Sequence, residues 1–321
     1  MTTSQDQLGR RNRMKARATG KRVSLTERDW IWLKALHRHG PLPSSFLLEF
    51  VKPLQMNEKR AKERLRDLFH EDRTPNGGAY LIRPVQQFQT IDSRYNQLIY
   101  DLAPAAMQAL KARQGWSGAA GAQGGPWWHK LMISCVTASI ELATMQRCDL
   151  QFIPQARILD RAQTKLECAV ECVDPKSGRL VKKVLKPDAL FGLEYQSSGR
   201  SRFRFFIVEA DRATEPLTAS DFNRKSAEKQ GTLYQAYVET GVYREHLKLT
   251  SPLLVLNVVS QAKRMDSILE LAHRKFGGQN YQLFQVWSEF ASPARPPSPN
   301  FNLFTQSWNR PGMPPVLIDR G

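Results

Sequence analysis

"KPDALFGLEYQSSGRSRFRFFIVEADRATEP", residues Lys186–Pro216, predicts two strands joined by a short turn and decides the fold of this part of the chain. Side chains alternate between the two faces of a strand, so Glu209 and Asp211 project from the same face near the end of the second strand. Asp188 lies on the neighbouring strand, and the hairpin would bring it close to both. Three carboxylates are therefore expected at one place on the sheet.

Carboxylates held this close together repel each other unless a cation or bound protons relieve the repulsion. A divalent cation such as Mg²⁺ or Mn²⁺, held by oxygen ligands, is the chemical use of such a cluster. Glu141 interrupts an otherwise apolar helix, where an ionised carboxylate is costly without a partner. Alternatively, the carboxylates meet water at the strand end or pair with Lys186, Arg202 and Arg212. The predicted metal ligands are Asp188, Glu209, Asp211 and Glu141.

The hairpin lies inside a longer region, residues 127–288, in which helices and strands alternate. The predicted order is αβββαβαβ, which indicates an α/β sheet covered by helices. One strand, 252–260, is apolar without alternation, as expected at the centre of a sheet. The predicted helices are 127–147, 218–240 and 262–276, and the predicted strands are 164–173, 180–195, 201–211, 252–260 and 281–288.

Residues 23–113 predict a separate unit in which three helices are followed by two strands and a closing helix. This order is typical of a winged helix-turn-helix domain, whose third helix enters the major groove of DNA while the strands form the wing. The third helix is predicted to begin after Asn57 and to pack through Ala61, Leu65 and Leu68. Its basic side chains are expected to contact DNA: Lys59, Arg60, Lys62, Arg64 and Arg66.

The first helix of this unit is predicted from its capping residues and its apolar spacing. Ser24 and Glu27 have the spacing of a capping box, and Gly40 follows the last periodic residue. Trp30 and Leu33 are predicted to lie on the apolar face of this helix.

The net charge of +17 favours a polyanionic partner, and its distribution along the chain is uneven. Residues 1–113 hold 21 Lys and Arg against 11 Asp and Glu, whereas residues 127–321 hold 26 against 19. Residues 1–22 predict a disordered basic arm that can lie along phosphates through charge alone. Double-stranded DNA is the expected partner, although a basic helix can also be a plain solvated face. The predicted arm contacts are Arg10, Arg11 and Arg13.

Two segments of distinct composition bound these regions. Residues 114–126 are uncharged and rich in Gly and Ala, which predicts a flexible linker. Residues 289–321 contain "ASPARPPSPN" and "RPGMPPV", which predict an extended or disordered Pro-rich tail. The expected divisions are 1–22, 23–113, 114–126, 127–288 and 289–321.

Membrane insertion and disulfide bonding are not expected. The longest apolar segment, 131–145, is interrupted by Glu141 and is interpreted as a buried helix. The basic N-terminal segment is not followed by an apolar region, so a secretory signal is not expected either. The chain has four cysteines without metal-ligand spacing, which favours reduced thiols in a cytoplasmic protein.

"PDALF" and "FFIVEADRATEP", followed by a helical "RKSAEKQGTLYQAY", resemble the replication-relaxation family of bacterial plasmids and other mobile elements. The matching residues are Pro187 and Asp188 and the run Glu209–Glu215, and the resemblance covers about residues 24–288. It implies a winged helix followed by a domain similar to the PD-(D/E)xK nuclease core, which also has the αβββαβ order. It further implies work in plasmid replication and in relaxation at a transfer origin, with a relaxase or replication initiator as a partner.

The sequence departs from the nuclease pattern at one position. Asp188 and Glu209 match the metal-binding carboxylates, but Asp211 stands where the pattern has a lysine. An anion therefore replaces the cation that would stabilise the transition-state phosphate. Lys225 or Lys229 on the following helix could supply it instead. The candidate catalytic residues are Asp188, Glu209, Asp211, Lys225 and Lys229, and Gln230 and Tyr234 resemble the Gln-x-x-x-Tyr helix of some RecB-like nucleases.

Three functions remain open from the sequence. The first is a DNA-binding accessory protein of mobile-element replication or transfer whose nuclease-like domain is weak or inactive. The second is an Mg²⁺- or Mn²⁺-dependent endonuclease, and the third is a transcriptional regulator, which needs no carboxylate cluster. A relaxase is disfavoured, because His37 and His39 flank an arginine at a helix end instead of forming a metal motif. The DNA sequence bound and the formation of a homodimer stay undecided.

Overall fold

The structure is a computed structural model of the 321-residue chain and describes residues 13–17, 20–54, 57–71, 78–88, 96–113, 126–197, 199–292 and 295–320. The fold is mixed α/β and divides into two compact units. The N-terminal unit contains residues 1–138 and 292–299, and the C-terminal unit contains 139–291 and 300–321. Arg10, Arg11 and residues 114–125 of the predicted linker lie outside the described residues.

The N-terminal unit has the predicted order of three helices followed by two strands and a helix. A short extra strand lies between the first two helices, and the three strands form an antiparallel sheet in the order β1–β3–β2. The elements are α1 (Glu27–His39), β1 (Leu42–Pro43), α2 (Ser44–Val51), α3 (Glu58–His70), β2 (Leu81–Ile82), β3 (Ile99–Leu102) and α4 (Pro104–Ala112). α5 (Trp127–Thr144) contributes residues to both units.

The start of α1 differs from the prediction by two residues. Its N-cap is Thr26, and the Asp29 carboxylate accepts hydrogen bonds from the Thr26 N–H and hydroxyl at 2.8 and 2.9 Å. The predicted box at Ser24 and Glu27 is therefore wrong, because two overlapping Ser/Thr-x-x-acid patterns occur in this segment and only one of them forms the N-cap. For α3 the predicted N-cap is confirmed, since the Asn57 side chain accepts from the N–H groups of residues 59 and 60.

The core of the N-terminal unit is apolar and includes one tryptophan that the prediction did not select. Trp32 is fully buried and its indole N–H donates to the Leu47 carbonyl at 2.6 Å, whereas Trp30 is only partly buried. The Arg113 guanidinium lies 4.5 Å from the Trp30 ring centroid. Trp30 is thus a partly exposed residue at the edge of the helix face, because the buried stripe of α1 is rotated toward Trp32 and Leu36.

The C-terminal unit is built on a seven-stranded mixed sheet in the order β12–β11–β10–β9–β8–β7–β4. β8 is antiparallel to β7 and parallel to β9, which is parallel to β10. The strands are β4 (Leu150–Pro154), β5 (Cys168–Val173), β6 (Leu180–Leu185), β7 (Ala189–Ser197), β8 (Arg200–Asp211), β9 (Leu253–Val259), β10 (Gln282–Val286), β11 (Trp308–Arg310) and β12 (Met313–Val316). The helices are the end of α5, α6 (Gln155–Ala162), α7 (Ala227–Glu239), α8 (Val242–Leu247), α9 (Ala262–Phe276) and α10 (Asn302–Thr305).

Two strands that the sequence placed in the main sheet form a separate ribbon. Among the described strands, β5 and β6 pair only with each other and form a two-stranded sheet. The edge of the main sheet beside β7 is instead formed by β4, a strand that the prediction missed. The run predicted as 180–195 is split at Lys186 and Pro187, because proline has no N–H for a ladder. The predicted helix 218–240 begins only at Ala227, where Ser226 accepts from the Lys229 N–H and caps the helix.

The C-terminal segment is folded, so the expected extended or disordered tail over 289–321 is wrong. α10, β11 and β12 lie in this segment, and β11 adds to the main sheet through β10. Trp308 is fully buried and donates its indole N–H to the Leu303 carbonyl at 3.0 Å. Burial of Trp308, Phe304 and Ile318 outweighs the Pro-rich composition that motivated the prediction.

The cysteines and the described helices bear on the expectations about disulfide bonds and membrane insertion. Cys135, Cys148, Cys168 and Cys172 are free thiols. Within the described ranges, no helix has both the length and the apolar character needed to cross a membrane.

Candidate functional site

The candidate site begins where β7 and β8 run side by side. Ala189 at the start of β7 pairs with Val208 of β8, so the preceding Asp188 lies beside Glu209. The Asp188 carboxylate accepts a hydrogen bond from the Ala210 N–H at 2.9 Å. This contact ties the side chain of one strand to the backbone of the next. The predicted proximity of Asp188 and Glu209 is therefore observed, and the two residues are here called the carboxyl pair.

Glu209 is held on its other side by α7. The Tyr234 hydroxyl donates a hydrogen bond to Glu209 Oε1, and Tyr234 is fully buried. Burial and the nearby Asp188 carboxylate raise the pKa of Glu209 well above its usual range, although the hydrogen bond from Tyr234 opposes this rise. Burial and the Glu209 carboxyl group likewise raise the pKa of Tyr234. Burial beside a second carboxylate therefore disfavours a negative charge on Glu209.

Asp211 makes its hydrogen bonds to residues other than the carboxyl pair and its partners. One of its oxygens accepts from the Arg264 Nε of α9 at 3.0 Å, and the other accepts from the Ala213 N–H at 2.6 Å. Ala213 has a φ of 59°, a left-handed conformation that a non-glycine residue rarely adopts. The expected meeting of three carboxylates is thus corrected, because Arg264 draws the third carboxylate into an ion pair of its own.

The two lysines proposed to replace the missing cation contact other groups. Lys225 lies 3.4 Å from a Glu215 carboxylate oxygen, and its side chain is largely exposed. The Lys229 ammonium donates to the Asn223 carbonyl at 3.0 Å. Burial and the charge of Lys183 lower the pKa of Lys229. The contacts of both ammonium groups are therefore with groups other than the carboxyl pair.

The donor set does not fit a divalent metal as it stands. All four predicted ligands are described, and in the described part of the chain no group of three or more His, Cys, Asp or Glu side chains could hold a metal ion. Asp211 is engaged by Arg264, and burial beside Asp188 raises the pKa of Glu209. Glu141 is partly buried on α5 and belongs to no such group. The predicted metal set of Asp188, Glu209, Asp211 and Glu141 is therefore not assembled.

A second candidate surface lies on α3 of the N-terminal unit. Lys59, Lys62 and Arg66 are exposed and spaced so that they share one face, opposite the buried Ala61, Leu65 and Leu68. These three residues are here called the basic stripe. Lys62 also pairs with Glu58 at 2.5 Å, one turn earlier. Arg60, a further predicted DNA contact, is exposed at the edge of the stripe.

Arg64 has a different role from the other basic residues of α3. Its guanidinium donates from Nε and Nη2 to the fully buried Asp29 carboxylate at 3.1 and 2.7 Å, and from Nη2 to the Ser24 carbonyl at 2.6 Å. This bidentate pair ties α3 to the start of α1. The contact with a buried charge assigns Arg64 a role in the fold of the unit, and its predicted DNA contact stays a prediction.

The described part of the basic arm packs against the N-terminal unit. Arg13 donates to the Asn96 carbonyl at 3.3 Å, and its own carbonyl accepts from Arg83 at 2.8 Å. The Arg17 N–H donates to His70 at the end of α3 at 3.2 Å. The expectation of a wholly disordered arm is therefore wrong for these residues, since polar contacts hold them beside α3 and the strand β2.

The two histidines weighed for a relaxase site lie in the interior of the N-terminal unit. The His39 ring is hydrogen-bonded to the Thr137 hydroxyl at 2.8 Å, and burial lowers the pKa of His37 to about 4. Both are buried, which favours packing over metal binding.

Some of these contacts had no usable signal in the sequence. Arg264 lies 53 residues from Asp211, and charged residues are frequent in this chain, so nothing marked it as the partner. Tyr234 had a weak signal in the Gln-x-x-x-Tyr spacing, which did point to the residue that contacts Glu209.

The comparisons with known proteins gave one match. A family model described as Replication-relaxation matches residues 33–252, more than half of the chain. Neither the curated proteins nor the solved structures contain a match.

Proposed function

Because the chain belongs to the replication-relaxation family, we propose that it is a DNA-binding accessory protein of plasmid or mobile-element replication or transfer. The N-terminal unit acts as a winged helix-turn-helix, with α3 in the major groove and β2–β3 as the wing. The order of helices and strands and the +17 net charge of the chain support this assignment. A cytoplasmic location follows from the DNA partner.

The observation that carries the proposal is the basic stripe. Lys59, Lys62 and Arg66 present three cations along one exposed helix face, and their backbone is fixed by a packed core on the opposite face. A helix of this kind can place its cations along phosphates without losing its own packing. Arginine at this face could also contact guanine in the major groove.

The test compares two triple variants of the intact chain. Lys59→Ala/Lys62→Ala/Arg66→Ala should bind duplex DNA much more weakly than the parent, because three phosphate contacts are lost. The control, Lys34→Ala/Lys52→Ala/Lys111→Ala, removes the same charge from exposed positions elsewhere in the N-terminal unit and should bind nearly as well as the parent. Equal binding by the two variants in an electrophoretic mobility assay would contradict the assignment of α3.

The C-terminal unit is proposed to be a PD-(D/E)xK-like domain that does not cleave DNA by itself. Its order of α5, β4, β7, β8, α7 and β9 supports this fold, with α6, the β5–β6 ribbon and α8 as insertions. The carboxyl pair stands where the resemblance places the metal-binding residues, but Asp211 is paired with Arg264. Such a domain would dock DNA or a partner instead of cutting it.

An Mg²⁺- or Mn²⁺-dependent endonuclease is the second candidate, because Asp188 and Glu209 do meet. It would require an ionised Glu209, which the raised pKa of that residue opposes, and Asp211 would have to leave Arg264. Purified protein is incubated with supercoiled and single-stranded DNA and either metal, beside an Asp188→Ala/Glu209→Ala control. We expect no nicking above the control. Nicking by the parent that disappears in the control would establish the endonuclease, and Lys225→Ala and Lys229→Ala would then identify the lysine used.

The partners remain proposals. A relaxase or replication initiator would be bound together with DNA, and a homodimer would suit a symmetric site. A transcriptional regulator, the third candidate, would use the N-terminal unit in the same way. Loss of plasmid replication or mobilisation in cells carrying the basic-stripe variant would favour the accessory role, whereas changed transcription alone would favour a regulator.

A further inference from the structure

The β7–β8 hairpin extends past its neighbour β9, whereas β4 on the other side pairs with β7 as far as Tyr195. The register of β8 with β9 begins at Phe205, although β8 itself begins at Arg200. The ladder between β7 and β8 continues to the pair Ser197 and Arg200 next to the turn, where Gly199 has a φ of 78°. At about 3.4 Å a residue, this end of β8 reaches roughly 17 Å beyond the start of its pairing with β9.

One face of this extension is strongly basic. Arg200, Arg202 and Arg204 alternate along β8, so they project from the same side. The carboxylate of Glu194 lies on the other side, where it accepts from the Ser201 hydroxyl at 2.6 Å. The residues Arg200, Arg202 and Arg204 are here called the arginine face.

In the part of the chain that the structure describes, the outer part of this face is exposed. Arg204 is anchored, because it donates to the Arg320 carbonyl at 2.9 Å and its guanidinium lies 5.8 Å from the Tyr195 ring centroid. Arg200 and Arg202 are exposed, and within the residues that the structure describes neither takes part in an ion pair. Like charges about 6.8 Å apart on a strand repel each other, which an anionic partner would relieve.

We propose that the arginine face is a second DNA-binding surface, which contacts the phosphates of a duplex. Guanidinium groups bind phosphates bidentately, and the 6.8 Å step between alternate residues is about the axial length of two phosphates on one strand. The nearest exposed aromatic side chain, Phe203, lies on the opposite side of β8, so the arginine face offers charge without the apolar anchor typical of protein interfaces. This inference rests on the proposed function only in taking DNA as the partner.

The test uses the intact chain and the salt dependence of duplex binding. Each phosphate contact adds about 0.9 to the slope of log affinity against log salt, so Arg200→Ala/Arg202→Ala should lower the slope by about 1.8. Arg157→Ala/Arg161→Ala removes two exposed arginines from α6 of the same unit and should leave the slope unchanged. Arg200→Lys/Arg202→Lys should restore most of it, because the charge is kept. Equal melting temperatures show that all variants are folded.

Each result separates this inference from the proposed function. A parent that does not bind duplex DNA contradicts both. Suppose that the basic-stripe variant loses binding while the arginine-face variant has the same slope as its control. This result contradicts the inference on the arginine face and leaves the proposed function intact. An equal drop in slope for the control would show that any lost charge has this effect, which also overturns the inference. If the arginine-face variant keeps the parent's slope for duplex DNA and loses only single-stranded binding, the inference is overturned, because the surface then binds single strands instead of a duplex.

Discussion

Replacing Arg64 tests whether a basic residue of α3 serves the fold or the DNA. In Arg64→Ala, the fully buried Asp29 carboxylate loses its cation but keeps the hydrogen bonds from Thr26 at 2.8 and 2.9 Å. Breaking a buried ion pair by removing one partner costs about 3–5 kcal/mol. The Arg64 side chain is 21% exposed and the Thr26 bonds remain, so we expect the lower end, about 3 kcal/mol.

Lys62→Ala is the matched control on the same helix. It removes an ion pair with Glu58 in which the two side chains are 57% and 67% exposed. Such pairs contribute about 0.5 kcal/mol or less. The two substitutions each remove one positive charge, so the difference in stability between them reports the burial of Asp29 and not the net charge.

Urea unfolding followed by circular dichroism measures this difference. With a slope of about 1–3 kcal/mol per molar urea, a loss of 3 kcal/mol lowers the midpoint of the N-terminal unit by about 1–3 M. Asp29→Asn/Arg64→Gln should recover part of the loss, because no charge is left buried without a partner. If Arg64→Ala were no less stable than Lys62→Ala but bound DNA more weakly, Arg64 would be a DNA contact and the structural role wrong.

Deleting residues 2–12, which include Arg10 and Arg11, should weaken binding to all duplexes about equally in competition assays, because charge alone attracts phosphates. A selective loss for one sequence would make the segment a groove reader. A carboxyl group whose pKa is higher in the folded than in the unfolded state destabilises the fold once it ionises, so the free energy of unfolding should decline as pH rises. Glu209→Gln should make this decline smaller. Identical profiles of unfolding free energy against pH for parent and variant would contradict this. Tyr234→Phe should raise the pKa of Glu209 further by removing the hydrogen bond that lowers it, and a lower pKa in a carbon-13 NMR titration would refute that account.

The parts of the fold that local sequence determines were predicted well. Asn57 caps α3 through contacts within three residues, and the apolar face of α3 follows from helical periodicity. β8 and β9 were found because one alternates and the other is continuously apolar. The adjacency of Asp188 and Glu209 needed only the hairpin that joins β7 to β8.

The parts that were missed depend on which residues meet from distant positions. The β5–β6 ribbon has the same alternation as a sheet strand, so periodicity could not show that β4 takes its place. Asp211 and Arg264 are 53 residues apart, and Asp29 and Arg64 are 35 apart. A carboxylate or an arginine has the same local signature whether its partner is a metal, a phosphate or another side chain.

The salt dependence of duplex binding by the intact chain tests the central claim most directly. The parent should show a steep linear fall of log affinity with log salt concentration, and the basic-stripe variant of Lys59, Lys62 and Arg66 should have a slope smaller by about 2.7, from three phosphates at about 0.9 each. Fluorescence anisotropy from low to moderate salt measures both slopes. Binding that does not depend on salt, or an unchanged slope in a folded variant, would contradict the claim that α3 holds DNA.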